Sequence, residues 1–228
     1  MGLTLKSIGL DYIYNLENED PQLISLKELA AKLDAKTFYD VSLLAALVAY
    51  RLRGTGESYW SDLAKINNST QDSPFDIVEN FLVLRRELAI RGKFARLEKL
   101  RKSKFSAIRN FTTYKNNPKK LYDTMNYVLN GKGEKTLSFA VKIFYYSILA
   151  KDNLRIALPY DVPIPVDSRV IKVSQAIGLI NPGCTEQNKI LKAWNLIAAL
   201  SNIQPLHIDS YIWLKLYKII YQKTTIKS

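Results

Sequence analysis

Apolar positions recur at helical spacing along most of the chain, and short polar, glycine or proline segments separate these stretches. No alternating pattern of a strand pair or hairpin stands out, and no internal repeat is visible. The pattern therefore predicts an all-α fold. The predicted helices cover residues 23–33, 39–52, 59–66, 75–91, 93–102, 103–110, 118–129, 134–149, 167–177, 186–201 and 208–221.

Glycines, prolines and polar residues mark the breaks between these helices. We expect a turn at residues 54–56, a polar loop at 67–74 and a tight turn at 130–133. Residues 152–166 include three prolines and are predicted to be loop or extended chain.

Charge is the first feature that points to a partner. The 228 residues include 33 Lys and Arg against 21 Asp and Glu, a net charge of +12, which favours DNA, RNA or an anionic membrane surface. Residues 85–104 hold nine basic residues against Glu87 and Glu98. Two interpretations of this stretch stay open, a solvated helix face and a phosphate-facing surface.

Cysteine and histidine usage limits the possible chemistry. Cys184 and His207 are the single residues of their types, which excludes an internal disulfide framework, a four-cysteine zinc site and an iron–sulfur cluster. The longest apolar run, residues 41–50, is too short for a membrane helix, and no targeting signal is visible. We therefore expect a soluble protein of the cytoplasm, associated with the nucleoid.

The turn between the helices predicted at 118–129 and 134–149 carries two glycines one residue apart. Such glycines permit positive φ angles and leave backbone N–H groups exposed, and the next helix N-terminus adds more of them. This pattern is typical of a helix–hairpin–helix, in which Gly131, Lys132 and Gly133 would hold a DNA phosphate. A Gly-x-Gly between helices can also be only a turn.

Three residues of the following helix share one face. Lys135, Phe139 and Lys142 stand at i, i+4 and i+7. A helix N-terminus, partial burial and a nearby cation all disfavour an ammonium ion, which is how an amine becomes a nucleophile near neutral pH. The alternative is two surface lysines and a core phenylalanine.

Asp167 stands at the start of another predicted helix, after the prolines of residues 163–166. An N-cap carboxylate accepts backbone N–H bonds, so it stays ionised and rigid. Asp167 is therefore a candidate partner for a nucleophile, although it can also serve only as a cap.

Together these elements resemble the helix–hairpin–helix Gly-Pro-Asp superfamily of base-excision DNA glycosylases. The matching residues are Leu129, Gly131, Gly133 and Lys135, followed by Pro165, Val166 and Asp167. The lysine implies a bifunctional glycosylase/AP lyase with Lys135 and Asp167 as catalytic residues. The chain departs from the pattern at Asn130, where proline is usual, and at Lys132, where an aliphatic residue is usual.

The wider chain is similar to the archaeal 8-oxoguanine DNA glycosylases, through Lys135, Phe139, Lys142, residues 163–169, Asp209 and Trp213. This resemblance implies that Phe139 and Trp213 sandwich an extruded base. It implies that Gln22, Trp60, Lys142 and Asp209 read that base. It also implies a monomer acting on damaged DNA with no metal or organic cofactor, apart from a structural monovalent cation at the hairpin.

The same resemblance implies two helical subdomains with the active site in the cleft between them. One would cover residues 38–155, with the hairpin at 129–135, and the other would combine 1–37 with 156–228.

Several alternatives stay open at this stage. A glycosylase/lyase for oxidised pyrimidines would share the hairpin and the aspartate, and a non-enzymatic module would use the hairpin only for phosphate contacts. A basic membrane-surface or RNA-binding protein is disfavoured. Trp60 and Trp213 can also be core residues, His207 is expected in a loop or as a cap, and Trp194 is expected in the core.

Overall fold

The computed structural model describes residues 1–66 and 72–220, and every regular element in these ranges is helical. The predicted all-α fold is confirmed. The α-helices are α1 (Gly2–Asn18), α2 (Pro21–Lys32), α3 (Ala35–Leu47), α4 (Gly56–Ala64), α5 (Pro74–Leu84), α6 (Ile90–Lys102), α7 (Phe111–Asn116), α8 (Pro118–Val128), α9 (Glu134–Asp152), α10 (Ser168–Ala176), α11 (Gln187–Ser201) and α12 (Pro205–Tyr211). Most of the polar loop predicted at 67–74 lies outside the described residues.

The chain forms two compact units. The first comprises Met1–Asp20 and Leu158–Ser228, and the second comprises Pro21–Ala157. The sequence placed the boundaries after residues 37 and 155. Residues 21–37 instead belong with the second unit, because α2 buries Leu23, Leu26 and Leu29 and packs on α4 and α9.

The second unit is built around α9. Residues 136–149 of this helix are buried with one partial exception, Phe139, and α9 packs on α2, α3 and α8. A helix that is apolar on nearly all sides belongs in a protein core. This core position fixes the direction of α9 and of the hairpin at its N-terminus.

The first unit has its own core, formed by α1, α10, α11 and α12. Trp194 of α11 lies at its centre, as expected, and the indole Nε1 donates to Ser174 Oγ at 2.8 Å. Residues 1–20 carried no predicted helix, but they form α1, which is kinked at Gly9 with φ 78°. No helix in the described ranges is long and apolar enough to cross a membrane.

Several helix boundaries differ from the predictions; the helix expected at 39–52, for example, spans Ala35–Leu47. The helix expected at 75–91 ends at Leu84, because Arg86 and Ala89 adopt left-handed φ angles of 53° and the chain turns. The helix expected at 103–110 is only a 3₁₀ turn, Ile108–Asn110. The final helix begins at Pro205 rather than 208, and α12 continues into a π-helical turn, Ile212–Leu216.

Candidate active site

The hairpin between α8 and α9 is a tight turn with three left-handed residues. Asn130, Gly131 and Gly133 have φ angles of 55°, 70° and 93°. Gly131 N donates to Asn126 O at 2.9 Å and closes α8, whereas Gly133 caps α9 and accepts from Thr136 N at 2.7 Å. Gly131, Lys132 and Gly133 are all exposed, so a phosphate can reach this turn.

Arg96 of α6 supports the hairpin from the protein side. A Cβ atom on Gly133 would lie 2.8 Å from Arg96 Nη2, so any other residue at this position must displace that guanidinium or the turn. The same guanidinium donates to Leu47 O at 2.8 Å and lies 4.8 Å from the Tyr50 ring centroid. Sequence reasoning did not single out Arg96, because its contacts come from two distant segments of the chain, residues 47–50 and the hairpin.

Lys135 lies in the first turn of α9, directly after the hairpin, and its side chain is exposed. The partial burial expected for this lysine is therefore wrong. Its position at the helix N-terminus stands, and Phe139 follows one turn later and is half-buried. The Phe139 ring lies 6.3 Å from the Trp60 ring at an interplanar angle of 52°.

Three polar or aromatic residues proposed to read a base are buried in the second unit. The exposed fractions are 5% for Gln22, 1% for Trp60 and 3% for Lys142. The Gln22 amide nitrogen would lie 3.9 Å from a Cβ atom on Gly56, one turn before Trp60 on α4. Packing of α2 on both α4 and α9 thus brings Gln22 and Phe139 to the helix that carries Trp60.

Lys142 follows Phe139 by one turn of α9, and its ammonium nitrogen lies 5.6 Å from the Tyr146 ring centroid. Burial of the aliphatic stem with the charge over an aromatic ring is a favourable arrangement for a lysine inside a protein. This fixed position distinguishes Lys142 from the exposed Lys135 on the same helix.

Asp167 is the N-cap of α10, as the sequence predicted. Its Oδ1 atom accepts from Arg169 N and Val170 N, both at 2.9 Å, and the side chain is half-buried. Because both backbone donors bind the Oδ1 atom, the Oδ2 atom remains available for a contact with another group. The proline-rich segment before α10 has no regular secondary structure, and Asp167 itself is extended, with φ −117° and ψ −178°.

Asp209 and Trp213 lie one turn apart in the first unit, Asp209 on α12 and Trp213 in the π-helical turn, and both are half-buried. The Arg169 guanidinium carbon lies 3.2 Å from the Trp213 ring centroid, so one face of the indole is covered. The first unit thus brings Asp167, Arg169 and Trp213 together. Sequence reasoning did not assign a role to Arg169, because its contact with Trp213 crosses between two helices.

His207 has a different role from the one expected. It lies inside α12, where it is fully buried, and its Nδ1 atom is 2.7 Å from Glu17 Oε1. Ser210 Oγ donates to the same oxygen at 2.9 Å. The expectation of a loop or capping role is therefore wrong, and His207 ties α12 to α1.

The basic stretch at 85–104 is partly structural. Four of its nine cations are buried or half-buried and bind partners within the second unit, so a continuous phosphate-facing surface is the wrong interpretation for them. These four are Arg85 with Asp62 and Glu87, Lys93 with Glu87, Arg96 with Leu47 O, and Arg101 with Glu79 and Glu98. Across residues 1–66 and 72–220, no group of three or more His, Cys, Asp or Glu side chains could hold a metal ion.

Several proteins with similar sequences are named N-glycosylase/DNA lyase. A protein from Pyrobaculum aerophilum named N-glycosylase/DNA lyase is 27% identical over 224 residues, which cover 96% of this chain and 85% of the relative. Proteins of the same name from Methanococcus maripaludis and Aeropyrum pernix are 30% and 31% identical, and the alignments cover 86% of this chain and 78% and 74% of the relatives.

A solved structure has the same fold. It is a crystal structure of Pa-AGOG, described as the 8-oxoguanine DNA glycosylase from Pyrobaculum aerophilum in complex with 8-oxoguanosine, and the TM-score is 0.78. The match covers 93% of this chain and 84% of that chain at 23% identity. A family model described as AGOG, N-glycosylase/DNA lyase, matches residues 2–228. Since that match spans nearly the whole chain, the protein belongs to the AGOG family of N-glycosylase/DNA lyases, enzymes whose substrate is DNA.

Proposed function

We propose that this glycosylase/lyase releases 8-oxoguanine from DNA with Lys135 as the nucleophile and then cleaves the strand by β-elimination. The observation that carries the proposal is the position of Lys135, exposed in the first turn of α9 directly after the hairpin. A DNA strand held by the hairpin would pass beside this amine. The substrate named for the solved relative supports 8-oxoguanine as the base.

The proposed reaction begins with the neutral amine of Lys135. The nitrogen attacks C1′ of the damaged nucleotide, and the bond from C1′ to the base breaks with its electrons leaving on the base. The sugar ring then opens to a Schiff base between Lys135 and C1′. Loss of a C2′ proton expels the 3′ phosphate, and hydrolysis of the imine frees the enzyme.

Asp167 has two roles in this scheme. Its carboxylate accepts the proton from the attacking amine, and it stabilises the positive charge that develops on the sugar. The backbone N–H groups of Arg169 and Val170 support both roles, because they keep the carboxylate fixed. Preorganised charge needs little rearrangement during the reaction.

Base recognition follows extrusion of the nucleotide from the duplex. The bond to the base is accessible only outside the stack, and aromatic faces compensate for the lost stacking by about 1–3 kcal/mol per base. We assign the two aromatic faces to Phe139 and Trp213. Trp60 supports Phe139 from within the second unit, and the polar contacts to the base are assigned to Gln22, Lys142 and Asp209.

The remaining parts of the proposal concern DNA binding and cofactors. The Gly133 backbone N–H and the Lys132 ammonium bind a phosphate on this exposed turn, whereas Gly131 shapes the turn, because its own N–H bonds to Asn126 O. None of the steps above uses a metal or an organic cofactor, so we expect activity in EDTA. One chain carries every group in the scheme, which supports a monomer as the active unit. A DNA substrate supports a location in the cytoplasm, with the nucleoid.

Borohydride trapping tests the proposal. The wild-type protein is incubated with duplexes that carry one 8-oxoguanine, one oxidised pyrimidine or no damage, and the imine is reduced to a stable adduct. We expect an adduct on the 8-oxoguanine duplex that Lys135→Gln abolishes and the control Lys99→Gln, an exposed lysine of α6, retains.

Other outcomes identify the alternatives. An adduct confined to the oxidised pyrimidine would keep the mechanism and change the substrate. Base release that survives Lys135→Gln would show that Lys135 is not the nucleophile. The non-enzymatic alternative does not apply, because the family consists of N-glycosylase/DNA lyases.

A further inference from the structure

Arg169 and Trp213 form a close cation–aromatic contact in the first unit. The guanidinium carbon lies 3.2 Å from the indole centroid, well within the separation of about 6 Å at which a cation interacts with an aromatic face. Neither residue is fully exposed or fully buried. The indole therefore has one face against the guanidinium.

A second aromatic ring holds the same guanidinium. Tyr217 follows Trp213 by one turn, and its ring centroid lies 5.4 Å from the Arg169 guanidinium carbon. If the guanidinium only filled the site of a ligand that binds later, it would have to move away readily when that ligand arrives. Contacts with two rings instead indicate a guanidinium that stays and supports the indole.

The backbone around these residues connects the contact to Asp167. Arg169 N donates to Asp167 Oδ1 at 2.9 Å, so the same residue caps the carboxylate with its backbone and covers Trp213 with its side chain. Trp213 lies in a π-helical turn, a form that occurs often at functional sites because it redirects side chains.

We propose that Arg169 is a positioning residue for base recognition: it supports one face of Trp213, so that the other face receives the extruded base. The inference rests on the proposed function, which assigns that base to Trp213. The new element is that one residue, Arg169, fixes the orientation of the indole relative to Asp167. Base release needs this orientation, whereas strand cleavage at a site that has already lost its base does not.

The test compares two substrates with Arg169→Ala. We expect single-turnover release of 8-oxoguanine to fall about tenfold, with strand cleavage at a preformed abasic site within about twofold of wild type. The backbone cap of Asp167 survives the substitution, so loss of the carboxylate's position does not confuse the result. Arg169→Lys keeps the charge without the planar group and should recover only part of the rate.

Acrylamide quenching of tryptophan fluorescence tests the contact itself. Trp60 and Trp194 are each 1% exposed, so the quenchable emission comes mainly from Trp213. Removal of the guanidinium should increase the quenching constant, and Trp213→Phe should remove that increase. Lys172→Ala, an exposed cation on the same helix, is the control and should change neither rate nor quenching.

Three results would overturn the inference. Equal losses on both substrates, with weaker binding of undamaged duplex, would make Arg169 a phosphate contact. Unchanged release of 8-oxoguanine by Arg169→Ala would show that Trp213 needs no support. Unchanged quenching of the tryptophan fluorescence in this variant would show the same. If the wild-type protein releases no 8-oxoguanine at all, the proposed function fails instead, and the quenching result still reports on the contact.

Discussion

Glu87 and Lys93 form an ion pair in which both side chains are completely buried, with 2.7 Å between Oε2 and Nζ. Arg85 Nε donates to the other carboxylate oxygen at 2.7 Å. Burial alone would raise the pKa of Glu87, but the hydrogen bonds from Lys93 and Arg85 outweigh it and lower that pKa. The network fixes the turn that separates α5 from α6.

Removal of the carboxylate should destabilise the protein more than removal of the ammonium. Glu87→Gln leaves the Lys93 charge buried without its anion, which we expect to cost about 3–5 kcal/mol. Lys93→Met leaves Glu87 with Arg85 and should cost less. Urea unfolding of both variants at pH 7 checks the order, and equal losses would contradict it.

The same ion pair predicts that the free energy of unfolding depends on pH. Because the pKa of Glu87 is lower in the folded protein, the native state binds fewer protons, and this contribution to stability is complete above the ordinary Glu value. It is lost as the pH falls through the lowered value. The difference in unfolding free energy between wild type and Glu87→Gln should therefore shrink towards pH 3, and a constant difference would assign the effect to packing.

The features that could be predicted from the sequence are those that depend on residues close together in the chain. The hairpin glycines and the Asp167 cap depend on residues within a few positions, so both could be recognised from the amino-acid order alone. The position of the break between α5 and α6 could not, because the predicted helices place it at Gly92, whereas Glu87 turns inward to Lys93 and Arg85 and ends the helical pattern of 75–91 early. The contact of Arg169 with Trp213 is also non-local and left no sequence signal.

The exposure of site residues was equally hard to predict from periodicity. Lys135 and Lys142 share one helix face, yet Lys135 is exposed and Lys142 is 3% exposed. The difference arises because α9 enters the core only after its first turn, where α2, α3 and α8 surround it. A helical wheel shows the face of a residue but not its depth.

The buried contacts of Glu17 predict that this residue contributes to stability by holding α1 and α12 together. His207 Nδ1 and Ser210 Oγ both contact its Oε1 atom inside the core, at 2.7 and 2.9 Å. We expect Glu17→Ala to lower the unfolding free energy by about 3 kcal/mol, since a buried polar network loses its shared acceptor. The control Glu19→Ala, an exposed residue of the same segment, should have little effect in thermal unfolding. Similar melting temperatures for the two variants would contradict this prediction.

The two hairpin glycines should respond differently to alanine. Gly131 has φ 70° and open space around a Cβ atom, so Gly131→Ala carries backbone strain of about 1–2 kcal/mol. Gly133 has φ 93°, and its Cβ would lie 2.8 Å from Arg96 Nη2. Because Leu47 O and Tyr50 hold that guanidinium, Gly133→Ala must also displace Arg96 or the hairpin.

Binding of undamaged duplex, followed by fluorescence anisotropy, checks the difference. We expect Gly133→Ala to weaken the affinity about tenfold more than Gly131→Ala, because the turn itself moves. Equal effects of the two substitutions would mean that strain alone, and not the contact with Arg96, determines the geometry of the hairpin.

The capping role of Asp167 can be separated by mutation from its proposed catalytic role. Asparagine at an N-cap is about as good as aspartate, so Asp167→Asn should keep the bonds from Arg169 N and Val170 N and the melting temperature. It removes the charge, and we expect single-turnover base release to fall by about 10²–10⁴ with little change in DNA affinity. Asp167→Ala should lose the rate and, in addition, about 1 kcal/mol of stability. A rate within a few fold of wild type in Asp167→Asn would reduce this residue to a helix cap and move the proton transfer to another group.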